Sequence, residues 1–128
     1  MHNRRIAILG STGSIGTTAL RVIDGLNDLP KDKSPRFKVV ALSGHSNIKL
    51  LAEQVRRYRP KYAAVSDADC VEEFRRQVEG LDVKILAGPE GLTEIAELEQ
   101  VDTVLAAVVG VAGLHAVLAA VSKGKRSR

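Results

Sequence analysis

The sequence predicts an α/β fold of the doubly wound, parallel-sheet type. Three observations carry that expectation. Short apolar runs alternate with amphipathic segments five times, a glycine-rich turn separates the first run from the first amphipathic segment, and 128 residues suit one such domain. Parallel strands covered on both faces are nearly continuous in aliphatic residues, and each return between them needs a crossover, usually a helix. Composition agrees. Hydrophobic residues make up 45% and charged residues 27%, while aromatics are only 3% with no Trp, so the core must be aliphatic.

The first strand is expected at Ile6–Leu9. Ser14–Leu26 follows as a helix, with Ile15, Ala19, Val22, Ile23 and Leu26 facing inward. Asn27–Pro35 is a polar connector containing Pro30 and Pro35. The second strand is Phe37–Leu42, and Asn47 then suits a helix N-cap ahead of Ile48, Leu51, Ala52 and Val55 at i, i+3, i+4 and i+7. Pro60 ends that helix. Tyr62–Val65 is the third strand. Ser66–Val78 is its helix, opened by Ser66-Asp67-Ala68-Asp69, closed by Gly80, with Cys70, Val71, Phe74 and Val78 inward. Val83–Leu86 with Pro89–Leu98, then Val104–Val109 with Ala112–Val121, complete the fourth and fifth pairs. The pattern places one domain at 1–122 and a basic, truncated tail at 123–128. A sixth strand is expected next, so the sheet reads as incomplete at its C-terminal end.

The formal charge of +4 is uneven. Residues 1–66 carry 12 basic and 4 acidic side chains, and residues 67–128 carry 7 and 11. A positive first half suits an anionic ligand. The scarcity of aromatics argues against a stacking nucleic-acid surface, so no nucleic-acid partner is expected. A single cysteine, Cys70, excludes an internal disulfide and a multi-thiolate metal site and fits a reducing, cytoplasmic setting. Thr103–Ser122 is 20 residues without a charge, followed by Lys123, Lys125, Arg126 and Arg128, which is long enough to cross a bilayer. Six Ala, two Gly and His115 inside it weaken insertion. The stretch also divides into a β-branched run and a helically spaced one, so no membrane partner is expected.

The strongest signal is Gly10-Ser11-Thr12-Gly13-Ser14-Ile15-Gly16, at the junction of the first strand and first helix. In that context the spacing is a dinucleotide-binding fingerprint. Gly10 permits the tight turn, Gly13 lets the backbone approach a diphosphate, and Gly16 lets the helix pack close to the sheet. The first amides of the helix and its dipole favour phosphate there, with Thr12 and Ser14 as hydroxyl donors. The second strand selects the coenzyme. An NAD site places Asp or Glu at its end, but here Ser43-Gly44-His45-Ser46-Asn47 holds no carboxylate. That favours NADP, with Ser46, Asn47 and the next helix N-terminus as donors and His45 or Lys49 as positive charge. A second glycine turn, Val109-Gly110-Val111-Ala112-Gly113-Leu114, follows the fifth strand and either approaches the cofactor or serves close packing.

These residues together carry a resemblance. Ile8 to Gly16, Val39-Val40-Ala41-Leu42, Ser46-Asn47, Arg59-Pro60-Lys61-Tyr62 and Val109 to Leu114 resemble, in order, the N-terminal domain of the 1-deoxy-D-xylulose 5-phosphate reductoisomerase family. The resemblance implies a Rossmann-type domain that binds NADPH at Thr12, Gly13, Ser14 and Ile15 and, from the second-strand loop, at Ser46 and Asn47. It implies an enzyme that uses Mg²⁺ or Mn²⁺ to rearrange and reduce 1-deoxy-D-xylulose 5-phosphate to 2-C-methyl-D-erythritol 4-phosphate, in non-mevalonate isoprenoid synthesis. The family setting is a bacterial-type cytoplasm or a plastid, and the full-length protein is expected as a homodimer. Metal carboxylates, the phosphosugar site and the lid lie beyond this chain in the family, so the chain is expected to bind NADPH but no metal, and to be inactive alone. Two departures stand out. The family usually has Gly where this chain has His45, with the glycine here one place earlier, at Gly44. After its Lys-Gly-Lys-type turn the family continues into a strand and an Asn-Lys-Glu segment, whereas Gly124-Lys125 is followed here by Arg126-Ser127-Arg128.

The other candidates read as structural. His2, His45 and His115 have no helical ligand partner. Asp67, Asp69, Glu72 and Glu73 suit a helix start, and Arg56, Arg57, Arg59 and Lys61 suit a helix end. Ser11, Ser14 and Cys70 have no neighbouring base to make a nucleophile. Two alternatives compete with the reductoisomerase expectation: a stand-alone, non-catalytic NADP-binding module, and the cofactor domain of another NADP-dependent dehydrogenase.

Overall fold

In a computed structural model the chain forms a six-stranded, wholly parallel sheet in the order β4-β3-β2-β1-β5-β6, with helices on both faces. The structure describes residues 3–107 and 111–127, without the side chains at 111, 112, 114, 115 and 117. The elements are β1 (Arg4–Leu9), α1 (Ser14–Asn27), β2 (Phe37–Gly44), α2 (Ile48–Tyr58), β3 (Tyr62–Val65), a 3-10 turn (Ala68–Cys70), α3 (Val71–Gln77), β4 (Lys84–Ala87), α4 (Glu90–Glu97), β5 (Thr103–Ala106), α5 (Val111–Ser122) and β6 (Arg126–Ser127). This is the expected doubly wound, Rossmann-type arrangement. The chain leaves β1 towards β2, later returns to β5 on the other side of β1, and so opens a switch point at the carboxyl ends of β1 and β5.

Two aliphatic layers hold the sheet. On one face Leu20, Ile23, Leu51, Val55 and Phe74 pack on Ile6, Ile8, Leu42 and Val65. On the other, Leu92, Ile95, Ala116 and Ala120 pack on Ala7, Leu9, Ala64, Leu86 and Val104. The β1–β2 pairing contains a bulge. Ile6 stands opposite Val39, but Ala7 stands opposite Ala41, leaving Val40 as the extra residue. Val39 and Leu42 therefore join the first layer while Val40 and Ala41 join the second. Beyond the bulge, Ser43 is opposite Leu9, at the mouth of the glycine turn.

Three local expectations change, and a fourth holds. The inward face of α1 is Gly16, Leu20 and Ile23, whereas Ile15 and Val22 are 64% and 54% exposed. The helix rolls onto Gly16 because the absence of a side chain lets that turn come closest to the sheet. The expected helix over 66–78 splits into the 3-10 turn and α3, and its cap is Asp67, which accepts from the Asp69 amide at 3.1 Å. The Ser66 hydroxyl is engaged elsewhere, with His45. The tail placed at 123–128 is not all tail. Gly124, at φ +76°, closes α5, and Arg126 and Ser127 pair with Thr103 and Val104. Lys125 Nζ anchors the turn by donating to the carbonyls of Leu98 and Val101. Finally, the uncharged stretch divides as its spacing suggests into β5 and α5, and no helix among the described residues is long and apolar enough to cross a membrane. Val108, Val109 and Gly110 lie outside the described residues, as do the His2 and His115 side chains.

Candidate functional site

The turn from β1 to α1 sits at the switch point, and its three glycines do three different things. Gly10 has φ +84°, in the left-handed region that a side chain disfavours. Gly16 is a contact surface: a Cβ there would stand 2.2 Å from Gly10 O and 2.6 Å from Ser11 Cα. Gly13 is neither. It is exposed, has an extended backbone at φ −80° and ψ 176°, and a Cβ would meet nothing nearer than Gly10 O at 3.8 Å. The protein itself leaves that space open.

Gly13 is also the N-cap of α1, where no side chain supplies an acceptor. Its own amide donates to Gly10 O at 3.3 Å, and its carbonyl accepts from Thr17 at 2.9 Å. The amides of Ser14, Ile15 and Gly16 find no acceptor among the described residues. Ser14 and Ile15 are exposed. A helix start with free amides, an unhindered approach and a favourable dipole is an anion receptor.

The turn is clamped from β2 and α2. The Gly10 amide donates to Ser43 Oγ at 2.8 Å, and the Ser11 amide donates to Ser43 O at 2.8 Å. Gln54, on α2 and 6% exposed, closes a two-way bond with Ser11. The Ser11 hydroxyl donates to Gln54 Oε1 at 2.7 Å, and Gln54 Nε2 donates to Ser11 O at 2.8 Å. Ser11 is fully buried in this bond, so it is a structural residue and not a nucleophile. Thr12 leans on the end of β2, where a Cβ on Gly44 would come within 3.3 Å of Thr12 Cγ2. Gly44 thus makes room for the glycine turn. Sequence reasoning did not single out Gln54, Ser43 or Gly44 for these roles. Their only advance signal was the polar character of Gln54 at a position adjoining an apolar stripe.

The loop after β2 gathers the second set of expected residues. His45, Ser46 and Asn47 are all exposed. Asn47 caps α2, its Oδ1 accepting from Leu50 at 3.3 Å, so the cap reading of this residue holds alongside any ligand role. His45 Nδ1 lies 2.8 Å from Ser66 Oγ, and the Ser66 amide donates to Gly44 O at 3.0 Å. These bonds tie the ends of β2 and β3 together. Asp67, the residue after Ser66, spends its carboxylate on the Asp69 amide and the Cys70 thiol.

Cys70, the acidic cluster and the basic end of α2 have structural roles. Desolvation, then Asp67, raise the Cys70 thiol pKa and disfavour a thiolate. Glu72 and Glu73 pair with Arg75 and Arg76, and the Arg76 guanidinium holds Glu73 below the usual carboxylate range. Arg56 and Arg57 lie in the last turn of α2, as the dipole argument expects, and Arg59 is its left-handed C-cap at φ 51°. Among the described residues no group of three or more His, Cys, Asp or Glu side chains has the arrangement to hold a metal ion.

Comparison with known proteins decides the family. The sequence profile of 1-deoxy-D-xylulose 5-phosphate reductoisomerase matches residues 6–127. The chain belongs to this family. It is 48% identical over 124 residues to the reductoisomerase of Methylococcus capsulatus, covering 94% of this chain and 29% of that protein. With the Thermodesulfovibrio yellowstonii enzyme it shares 41% over 122 residues, covering 95% of this chain and 30% of that protein. The Zymomonas mobilis reductoisomerase in complex with NADPH superposes with a TM-score of 0.86 at 35% identity, covering 98% of this chain and 31% of that one. A reductoisomerase complex with NADPH, fosmidomycin and magnesium gives 0.86 at 40% identity, covering 97% and 29%. The chain thus spans about 30% of the length of its reductoisomerase relatives.

Proposed function

We propose that this chain is the NADPH-binding unit of a 1-deoxy-D-xylulose 5-phosphate reductoisomerase. The observation that carries the reading is the bare start of α1. Three amides have no acceptor among the described residues, two of them on the exposed Ser14 and Ile15, and the neighbouring Gly13 leaves space open at the switch point of the sheet. Similarity to reductoisomerases solved with NADPH supports the same reading.

In this assignment Gly10, Thr12, Gly13, Ser14, Ile15 and Gly16 form the diphosphate cradle. The amides of Ser14, Ile15 and Gly16 hold the charge, and the dipole of α1 adds to them. Ser46 and Asn47, at the head of α2, hold the phosphate on the adenosine ribose. Asn47 keeps its Nδ2 group to donate while Oδ1 caps the helix. His45, braced by Ser66, stands beside them. NADPH supplies the hydride in the complete enzyme, and this part of the protein supplies binding and orientation. The phosphosugar substrate, the Mg²⁺ or Mn²⁺ ion, a homodimeric assembly and a cytoplasmic setting belong, in this proposal, to the longer reductoisomerase. Rearrangement and reduction would take place there, against the nicotinamide that this chain positions.

The test is calorimetric titration of the 128-residue chain with NADPH and with NADH. NADPH is expected to bind at least about tenfold more tightly, since no carboxylate opposes its extra phosphate. Absence of binding by either coenzyme overturns the proposal, and a preference for NADH overturns its NADP component.

A further inference from the structure

We infer that Gln54 is a positioning residue for the dinucleotide turn, acting through Ser11 without touching the cofactor. The inference rests on the NADPH reading of that turn and extends it to a residue on another element.

The geometry is reciprocal and buried. Ser11 donates its hydroxyl proton to Gln54 Oε1 at 2.7 Å, and Gln54 Nε2 returns a hydrogen bond to Ser11 O at 2.8 Å. Both side chains are almost wholly excluded from solvent, Ser11 at 0% and Gln54 at 6% exposure. Among the described residues the turn has no comparable internal brace: its own backbone closes Gly13 on Gly10, at 3.3 Å. Ser11 lies immediately after the left-handed Gly10 and directly beneath the helix contact at Gly16. Fixing the Ser11 peptide therefore fixes the direction in which the next peptides present their amides. Ser43 holds the Gly10 and Ser11 amides from β2, its carbonyl also lying 3.2 Å from the Ser11 hydroxyl, and Gln54 holds the Ser11 carbonyl and hydroxyl from α2. The bond also spans from the turn to the helix whose head carries Ser46 and Asn47, so both phosphate subsites are referenced to one rigid element. Preorganised amides bind an anion without first paying to order the chain.

The experiment compares two probes on the 128-residue chain. NADPH engages both subsites, whereas adenosine 2′-monophosphate lacks the diphosphate and engages only the α2 side. Gln54→Leu keeps the buried volume and removes both hydrogen bonds. The expected result is a loss of NADPH affinity of at least about tenfold, the equivalent of losing the two neutral hydrogen bonds that Gln54 makes to Ser11. Adenosine 2′-monophosphate affinity should stay within about twofold. Ser11→Ala combined with Gln54→Leu should weaken NADPH binding about as much as Gln54→Leu alone, because the hydroxyl bond that Ser11→Ala removes is one of the two that Gln54→Leu already removes. Should Gln54→Leu not fold, Gln54→Glu provides the same reading: it keeps the acceptor for the Ser11 hydroxyl but sets a carboxylate against Ser11 O. Unchanged NADPH affinity in a folded variant overturns the inference, and so does equal weakening of both probes. Failure of the unmodified chain to bind NADPH is a different result, and overturns the functional reading itself.

Discussion

The carboxyl ends of β1 and β2 are built on opposite plans. After β1, the chain is determined by backbone geometry: a left-handed Gly10, a helix seated on Gly16, and Ser43 and Gln54 gripping the turn from two elements. After β2, the turn is exposed, closes on its own cap at Asn47, and presents the side chains of His45 and Ser46 to solvent. The difference matches what each end would recognise in the proposed assignment. A diphosphate is common to all dinucleotides and suits fixed backbone amides, whereas the ribose substituent differs between coenzymes and is chosen by side chains. Rigidity serves the shared group and substitution serves the discriminating one.

Gly16→Ala is the most direct way to break the first plan. The new Cβ would sit 2.2 Å from Gly10 O, against backbone at both Gly10 and Ser11, so no flexible side chain can yield. A loss of about 3 kcal/mol is expected, with the melting temperature falling on the order of 10 °C and NADPH binding lost. Thermal unfolding that leaves the melting temperature unchanged would show that α1 is not seated as described. Gly13→Asp separates stability from function at the same turn. The extended backbone and vacant cap position suit Asp, so the helix should gain about 0.5 kcal/mol. The same carboxylate would oppose a bound diphosphate, and NADPH affinity should fall roughly a hundredfold at low salt. A variant that is more stable yet still binds NADPH normally would place the phosphate elsewhere.

Much of the first plan was legible because its causes are local. Gly10, Gly13 and Gly16 follow one another within seven residues, and the alternation of aliphatic runs and amphipathic helices is periodic over short windows. The clamp was not legible. Gln54 and Ser11 are 43 residues apart, and only the folded sheet brings α2 beside the turn. The face of α1 failed for a related reason. Counting bulky apolar residues favours Ile15 and Val22, but the contact is made by the residue with no side chain, which hydrophobic periodicity cannot weigh. Ser66 likewise has the chemistry of a cap, and a histidine on the neighbouring strand end engages its hydroxyl.

Ser46→Asp sharpens the second plan. It adds to the β2 loop the charge that an NAD site uses, on a residue exposed at the head of α2. NADPH affinity should drop about tenfold while NADH affinity stays within about twofold or improves. Parallel titrations check this, and equal losses for both coenzymes would remove Ser46 from the discriminating subsite.

The smallest effect lies behind the two plans, where α2 is tied to α1. Tyr58 donates to Asp24 Oδ2 at 2.9 Å and Arg57 donates to the same oxygen at 2.8 Å. Burial, and then the Asp24 carboxylate, raise the Tyr58 phenol above its ordinary value, with Arg57 opposing them. A pKa higher in the folded state means that the unfolded chain releases its proton first. The contribution of Tyr58 is therefore complete below about pH 10 and is lost as pH rises through the folded value. Lys125 shifts the opposite way, lowered chiefly by burial, so folding penalises its charged form and that penalty lifts as pH rises through the folded value towards the ordinary lysine range. Because Lys125 is present in both proteins, it cancels in the difference between the unmodified chain and Tyr58→Phe. That difference, measured by urea unfolding, should be about 0.5 kcal/mol near neutral pH and shrink above about pH 10. A difference that persists undiminished at higher pH would mean that the ring packs α2 on α1 without the aid of its hydroxyl.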